Sequence, residues 1–224
     1  MHFSDGSPSR KHVLDVGCGC GHTSLQILRL FEQLGIRVDY TALDPYREQL
    51  DLFRARADAQ GRMNLKLIQS SLQGFHPANA FDLVIASHSL YYMEDISSSI
   101  EKILALGIES IVIHHGPRGI NEVHDRFPPW VNRDGFIIST YNDVSPHLPK
   151  AEFLSFQGSV DVACCQDPSS TDGLNLLTFF FERDFLELPA SVRAEAHAFF
   201  RETFPETMVH DVGVFVTKQP KMER

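Results

Sequence analysis

Short apolar runs alternate with amphipathic segments over the first half of the chain, and this alternation constrains the fold more than any other feature. The apolar runs predict strands over 12–17, 38–44, 64–69, 81–90 and 110–115. Apolar residues at helical spacing predict helices over 23–35, 46–61 and 95–106, the last capped by Asp95. Strand–helix–strand units of this length form parallel sheets with helices on both faces. We therefore expect an α/β protein with a doubly wound sheet.

The pattern is less regular after residue 115. Residues 116–135 indicate an irregular insertion, followed by strands over 153–164 and 208–218 and by helices over 169–184 and 189–204. Neither an internal repeat nor a low-complexity linker divides the 224 residues. We expect one domain over 1–224, with 1–115 and 116–224 as its two halves.

Composition excludes several classes of protein. The hydrophobic content of 43% is enough for a sizeable core, and the formal net charge of −9 argues against a nucleic-acid partner. The sequence shows no signal peptide and no apolar run long enough for a membrane span, and its four cysteines fit reduced thiols. We expect a cytoplasmic monomer or weak homodimer that binds neither nucleic acid nor membrane.

The turn after the first strand carries the clearest binding signal. "HVLDVGCGCGHTS" places Gly17, Gly19 and Gly21 on alternate positions, where a backbone without Cβ atoms can approach a ligand closely. In an open parallel sheet, ligands bind beyond the carboxyl ends of the strands. The dinucleotide fingerprint requires a further glycine where this chain has His22, and Asp15 adds negative charge that is unfavourable beside a pyrophosphate. The turn therefore favours a nucleoside that carries a positive charge.

A second acidic residue supports a nucleoside site. Asp44 ends the second strand, where a carboxylate can accept hydrogen bonds from both ribose hydroxyls. The alternative is that Asp44 merely caps the helix that follows.

These residues resemble the class I S-adenosylmethionine-dependent methyltransferases. "VLDVGCGCG" resembles their first motif, "ALD" the acidic end of their second strand, and "FDLVIASHSLYYM" their fourth-strand motif. The resemblance implies a Rossmann-like sheet of about seven strands, mostly parallel, with an antiparallel last strand beside the fifth. It also implies S-adenosylmethionine as cofactor, S-adenosylhomocysteine as product and a small-molecule methyl acceptor. Residues 1–115 would then form the cofactor-binding half and 116–224 the substrate side.

"SHSLYYMEDI", "QSSLQ" and "DRFP" resemble the histamine N-methyltransferase-like branch more narrowly. By that resemblance Gln69 and Ser70 border the adenine, Ser87 lies beneath the cofactor, and His88 and the Tyr91–Tyr92 pair face the acceptor. The cofactor-binding candidates are Asp15, Gly17, Gly19, Gly21, Asp44, Pro45, Gln69, Ser70, Ser71 and Ser87. The substrate-binding candidates are His88, Tyr91, Tyr92, His115, His210 and Asp211.

The departures from that branch bear on the acceptor. His88 stands where the branch has a glutamine, and His210 and Asp211 stand where it offers asparagines to the acceptor amine. About a dozen residues precede the first strand, where the branch has a longer helical segment that closes over its substrate. Histamine is therefore a doubtful acceptor.

The expected reaction is methyl transfer to a small molecule, on an amine or imidazole nitrogen. His88 is the first candidate for a catalytic base, because its reference pKa of about 6.5 suits proton transfer near neutrality. Asp211 could hold a cationic acceptor. The alternatives are an O-methyltransferase with His88 as general base, a catalytically silent cofactor-binding protein and, more weakly, a nicotinamide-dependent oxidoreductase. The histidines lack the spacing of a metal site, so no metal is expected.

Overall fold

A computed structural model describes residues 10–62, 65–131 and 137–218. Within these ranges the strands are β1 (Lys11–Val16), β2 (Val38–Asp44), β3 (Leu65–Gln69), β4 (Phe81–Ser87), β5 (Gly107–His115), β6 (Glu152–Asp161) and β7 (Thr207–Lys218). The α-helices are α1 (His22–Gln33), α2 (Arg47–Ala59), α3 (Ile96–Leu106), α4 (Ile120–Arg126), α5 (Tyr141–Val144), α6 (Thr171–Phe180) and α7 (Ala190–Thr203). Among these helices, none combines the length and apolar character needed to cross a membrane.

The strands form one seven-stranded sheet in the order β3-β2-β1-β4-β5-β7-β6. β1 to β5 pair in parallel, whereas β7 is antiparallel to β5 on one side and to β6 on the other. The predicted α/β class and the antiparallel last strand beside the fifth are confirmed. The strand order reverses between β1 and β4, so the carboxyl ends of these two strands border the place where ligands bind in such sheets.

The sequence prediction was wrong in some local details. The strand predicted over 81–90 ends at Ser87, and Leu90–Tyr92 form a short 3₁₀ helix. The insertion predicted over 116–135 contains α4, which a Glu122 side chain supports by accepting a hydrogen bond from Gly119 N at 2.7 Å. The first residue of the third predicted strand, 64, lies outside the described residues, as do residues 132–135 of the insertion.

Apolar side chains cover the two faces of the sheet and form a third cluster beyond it. α1 and α2 pack on one face through Leu25, Leu28 and Phe53, and α3 packs on the other through Ile100 and Ile103. The third cluster joins α4, α6 and α7 to the start of β7. These helices belong to the second half of the chain, and they lie next to strand ends that the first half provides.

Buried histidines join segments of the second half of the chain to one another and to the sheet. His114 is fully buried on β5 and its Nε2 lies 2.9 Å from Ser139 Oγ. His124 Nε2 lies 3.0 Å from the carbonyl oxygen of Phe180, so α4 is tied to α6. Burial lowers the pKa of both imidazoles to about 4, so both are neutral at pH 7.

The lowered pKa values of the two buried histidines predict that the protein loses stability in mild acid. An unfolded histidine takes up a proton near its reference pKa of 6.5, whereas folded His114 resists protonation down to about pH 4. Stability is therefore fully present above pH 6.5 and declines as the pH falls from 6.5 toward 4. Linkage gives about 2 kcal/mol for His114 alone between pH 7 and pH 5.

Urea denaturation at pH 7 and pH 5 measures this loss. We expect the difference in free energy of unfolding to be about 2 kcal/mol smaller in His114→Gln than in the wild type. His76→Gln, a replacement at an exposed position, is the control and should keep the wild-type difference. An unchanged difference in His114→Gln would show that His114 does not resist protonation in the folded state.

The last glycine of the turn between β1 and α1 predicts a second effect on stability. Gly21 has φ +79°, and a Cβ there would lie 2.2 Å from the fully buried ring of Phe53. Gly35 has a similar φ of +68°, but its Cβ would meet nothing within 4 Å. A side chain in the left-handed region costs about 1–2 kcal/mol, and overpacking adds about 1–3 kcal/mol.

Gly21→Ala should therefore destabilise the protein clearly more than Gly35→Ala does, by the amount due to overpacking. Thermal and urea denaturation of the two variants separate the steric contribution from the backbone contribution. Equal losses in the two variants would mean that the contact with Phe53 relaxes without cost.

Candidate active site

The glycine turn forms one wall of a large cavity. Gly17 and Gly19 have φ of +69° and +50°, which only glycine adopts readily. A Cβ on Gly17 would lie 2.5 Å from Ser89 Cβ, so this glycine allows close packing. A Cβ on Gly19 would meet nothing within 4 Å. Because Gly19 lines the cavity, its backbone borders space that a ligand can occupy.

Asp44 fixes the position of this turn. Its Oδ2 accepts a hydrogen bond from Gly19 N at 2.9 Å, and its Oδ1 accepts one from Tyr46 N at 2.9 Å. The side chain is 6% exposed and lines the cavity. Each carboxylate oxygen can accept more than one hydrogen bond. Asp44 thus organises the loops after β1 and β2 and retains acceptor capacity toward the cavity.

The expected direct contact between Asp15 and the cofactor is corrected by the structure. Asp15 is 3% exposed and does not line the cavity; its Oδ2 accepts hydrogen bonds from Ser24 Oγ at 2.5 Å and Tyr40 OH at 2.8 Å. Burial raises the pKa of this carboxyl, and the two hydroxyl bonds oppose that rise. Asp15 joins β1, α1 and β2 beneath the turn, so it supports the site from behind.

The loops after β2, β3 and β4 contribute most of the other predicted cofactor residues. Pro45, Ser70, Ser71 and Ser87 all line the cavity. Gln69 is not part of the lining itself but lies next to it, since its amide nitrogen donates to the Pro45 carbonyl at 3.3 Å, and its contact with the adenine stays a prediction. Gln49 on α2 lines the cavity instead, a residue that the sequence reading did not select.

The cavity has a volume of about 1120 Å³. That exceeds the 300–1,000 Å³ usual for one small-molecule site, so it has room for a nucleoside and a second ligand. Its lining extends from the glycine turn to α6 and β7, and thus draws on both halves of the chain. The predicted site residues that it brings together are Gly17, Gly19, Gly21, Asp44, Pro45, Ser70, Ser71, Ser87, His88, Tyr91, Tyr92, His115 and His210.

His88 holds a strained position directly after β4. Its φ is +52°, and its backbone N–H donates to the Ile113 carbonyl at 2.9 Å. The imidazole packs against His115, with ring centroids 4.4 Å apart. Burial is the main cause that lowers the pKa of His88 to about 4, and His210 adds to the effect. His88 is therefore a neutral hydrogen-bonding group at pH 7 and a weak base.

Strand alternation separates the predicted residues of β5 and β7 between the two faces of the sheet. His115 Nδ1 lies 3.0 Å from His210 Nε2, and both rings line the cavity. Burial lowers the pKa of His115 to about 2 and also lowers that of His210. Asp211 follows His210 and points to the opposite face, where it accepts two hydrogen bonds from Arg118 at 2.9 and 3.0 Å. The expectation that Asp211 binds the acceptor is corrected, since it is 4% exposed and lies outside the cavity lining.

Both tyrosines of the "LYY" segment line the cavity. An extended segment would direct them to opposite sides, but the 3₁₀ helix brings their rings to 4.8 Å from each other. Tyr91 is 5% exposed and stacks on His115 with centroids 5.0 Å apart. Tyr92 OH donates to Glu182 Oε2 at 2.8 Å. Glu182 also lines the cavity, and sequence reasoning missed it because it follows an aromatic helix that reads as core.

Some buried polar atoms at the cavity lack a partner within the described chain. They are Ser89 Oγ, on a side chain that is 4% exposed, His88 Nδ1 and His210 Nδ1. A ligand in the cavity could supply these hydrogen bonds, since buried polar groups are nearly always satisfied. In the described ranges, no group of three or more His, Cys, Asp or Glu residues is arranged to hold a metal ion.

Comparison with known proteins agrees with this geometry. Residues 13–106, from β1 to the end of α3, match the family described as "Methyltransferase domain". Ajmaline N-methyltransferase of Rauvolfia serpentina is 25% identical over 135 residues, which are 58% of this chain. Those residues are 44% of the plant enzyme, so the match spans less than half of its length.

Two solved structures show how far the likeness in fold extends. The YcgJ protein of Bacillus subtilis matches with a TM-score of 0.61 at 15% identity, over 94% of this chain and 93% of its own. Coclaurine N-methyltransferase bound to N-methylheliamine and S-adenosylhomocysteine matches with a TM-score of 0.55 at 13% identity, over 91% of this chain and 66% of its own. The chain thus has the Rossmann-like fold of the class I methyltransferases, and its residues 13–106 match the methyltransferase-domain family.

Proposed function

We propose that this protein is an S-adenosylmethionine-dependent methyltransferase that methylates a nitrogen atom of a small molecule. One observation carries the proposal: a single cavity joins the glycine turn and Asp44 to a cluster of neutral aromatic and imidazole side chains. Because residues of both halves line this cavity, we also propose that the chain works as one domain.

The first part of the cavity suits the cofactor. Asp44 offers carboxylate oxygens for the ribose hydroxyls, as acids at the end of a second strand do in nucleotide-binding sheets. Gly19 leaves room for the ligand to approach the backbone. Ser70 and Ser71 would border the adenine, and Ser87 would lie beneath the methyl-bearing sulfur. The match to the methyltransferase domain covers all of these residues.

S-adenosylmethionine, when bound, supplies a methyl group on a positively charged sulfur, which is activated for in-line displacement. The chain's own contribution is to align an acceptor and to exclude water, which is worth about 7–11 kcal/mol in favourable cases. Tyr91 and His115 form a rigid stacked wall for this purpose, since both are largely buried. A metal ion is not part of the proposal.

The state of His88 favours nitrogen over oxygen as the acceptor atom. A catalytic base works best with a pKa near the working pH, and burial holds the pKa of His88 at about 4. Such an imidazole removes a proton from a hydroxyl poorly, but it can accept a hydrogen bond from an amine N–H. The names of the plant relative and of the coclaurine enzyme support an amine acceptor. The "SHSLYYM" resemblance to the histamine N-methyltransferase-like branch supports an amine or imidazole nitrogen.

The Asp44 carboxylate gives the direct test of cofactor binding. Calorimetry should show that the wild type binds S-adenosylmethionine and S-adenosylhomocysteine. Asp44→Ala should weaken both more than tenfold, because it removes the ribose acceptor and releases Gly19 N.

Asp51→Ala is the matched control, since it removes an exposed carboxylate from α2 that pairs with Arg47 at the surface. This control should bind S-adenosylhomocysteine like the wild type. Failure of folded wild-type protein to bind either nucleoside would refute the proposal. Unchanged affinity in Asp44→Ala would mean that Asp44 holds the two loops together but does not bind the ribose.

A His88→Asn variant separates N-methylation from oxygen-directed transfer. Asparagine tolerates a positive φ, so the variant removes the ring without adding backbone strain. We expect unchanged cofactor affinity, a roughly tenfold lower kcat/KM for an amine acceptor and an unaltered pH profile. Removal of a general base would instead lower kcat/KM by about 100-fold or more.

The measurement is transfer of a labelled methyl group to a panel of amines, imidazoles and phenols between pH 6 and 9, with mass spectrometry of the products. An ether product, together with loss of the acidic limb of the profile in His88→Asn, would favour the O-methyltransferase. Binding of cofactor without transfer to any member of the panel would favour a silent cofactor-binding protein.

A further inference from the structure

Glu182 is a half-buried carboxylate in the cavity lining to which the proposed function gives no role. It comes two residues after the end of α6, and its φ is +51°. In the described ranges the non-glycine residues with positive φ are His88 and Glu182, and both line the cavity. This φ belongs to a Schellman motif that ends α6, in which Glu182 N donates to the Phe179 carbonyl at 3.2 Å and Arg183 N donates to the Thr178 carbonyl at 3.2 Å. The end of α6 thus fixes the backbone of Glu182, whose side chain lines the cavity.

The carboxylates are the charged side chains of the described cavity lining. The acidic side chains that line the cavity are Asp44, Glu94, Asp95 and Glu182, and the described lining contains neither lysine nor arginine. Neighbouring His88 and His115 add no positive charge at neutral pH, since burial lowers their pKa values to about 4 and about 2. A second ligand in this cavity therefore meets an environment that favours cations and repels anions.

The other three carboxylates of the cavity lining either have structural contacts or are exposed. Asp44 holds the glycine turn, Asp95 accepts a hydrogen bond from Ser98 N at 2.6 Å as the cap of α3, and Glu94 is exposed. Glu182 instead accepts a hydrogen bond from Tyr92 OH, which faces the acceptor side. Burial raises the pKa of Glu182, whereas the Tyr92 bond lowers it.

Aromatic residues line the same cavity as this carboxylate. Tyr91 and Tyr92 meet edge to face, and Phe179 of α6 lines the same cavity although it is 54% exposed. Faces of aromatic rings attract ammonium groups by about 0.5–2 kcal/mol and also pack against apolar bodies. A carboxylate among such rings is suited to an organic ammonium ion.

We propose that Glu182 is the carboxylate that binds the methyl acceptor, and that the acceptor is an organic ammonium compound with an apolar or aromatic body. The inference rests on the proposed methyltransferase function and narrows its substrate class. Phosphorylated and carboxylated acceptors are disfavoured, because the described lining offers neither lysine nor arginine to pair with them.

The acceptor nitrogen must lose a proton before it can act as a nucleophile. Glu182 takes this proton: the N–H bond breaks, its electron pair stays on nitrogen, and an O–H bond forms on the carboxylate. The ammonium and the carboxylate thereby become a neutral amine and a neutral carboxylic acid. No further reactant is needed for this step.

Three probes with the same aromatic body and chain length test the inference: phenethylamine, phenethyl alcohol and 3-phenylpropionate. Calorimetric titration is carried out on the full chain at pH 7, with and without saturating S-adenosylhomocysteine. We expect the amine to bind at least tenfold tighter than the alcohol, and the carboxylate to bind most weakly. Glu182→Gln keeps the shape of the side chain and should remove the preference for the amine.

Glu202→Gln is the matched control, because Glu202 is an exposed glutamate on α7 outside the cavity lining. It removes the same charge and should keep the preference of the wild type. Equal binding of the three probes, no measurable binding of the amine, or a preference that survives Glu182→Gln would overturn the inference. Each of these results can occur while S-adenosylhomocysteine still binds, so the inference can fail while the proposed function stands.

Discussion

The two hydrogen bonds of the Asp44 carboxylate hold the site together. They join the turn after β1 to the loop after β2, so the backbone of Gly19 and the start of α2 have a fixed relation. Below them, Asp15 links the same elements through Ser24 and Tyr40. The two buried carboxylates thus form one support, in which Asp15 lies beneath the turn and Asp44 lines the cavity. A glycine turn without these anchors could adopt many backbone conformations, because its glycines lack conformational restraint.

Strand alternation then decides which polar residues reach the cavity. His115 of β5 and His210 of β7 share one face of the sheet, while His114 and Asp211, next to them in sequence, share the other. The first pair lines the cavity, and the second pair meets Ser139 and Arg118. A shift of one residue in the register of β7 would exchange these roles. The antiparallel last strand is therefore a determinant of the site as well as of the fold.

How much the sequence predicts depends on the range of the interactions involved. The strands, the glycine turn and Asp44 follow from local patterns, and the order of elements is enough to place them at one edge of a sheet. Asp15 and Asp211 were misplaced because a strand residue reaches the cavity only if its side chain lies on the right face and is not engaged by other residues there. Glu182 was not selected because its role depends on the contact between the end of α6 and Tyr92, 90 residues away in sequence. Local sequence patterns do not indicate a contact between residues so far apart.

The neutral state of His88 and His115 avoids additional electrostatic repulsion when both proposed ligands occupy the cavity. A sulfonium cofactor and an ammonium acceptor each bring a positive charge to one cavity, and at 4 Å two such charges repel by about 4 kcal/mol at an effective dielectric of 20. Protonated imidazoles between them would add to that repulsion. Burial keeps His88 and His115 uncharged at pH 7, so the nearby charges of the protein are carboxylates. Transfer of the acceptor proton to Glu182 would cancel one positive charge before the methyl group moves. The fold thus limits this repulsion in two ways: it keeps His88 and His115 uncharged, and it supplies carboxylates.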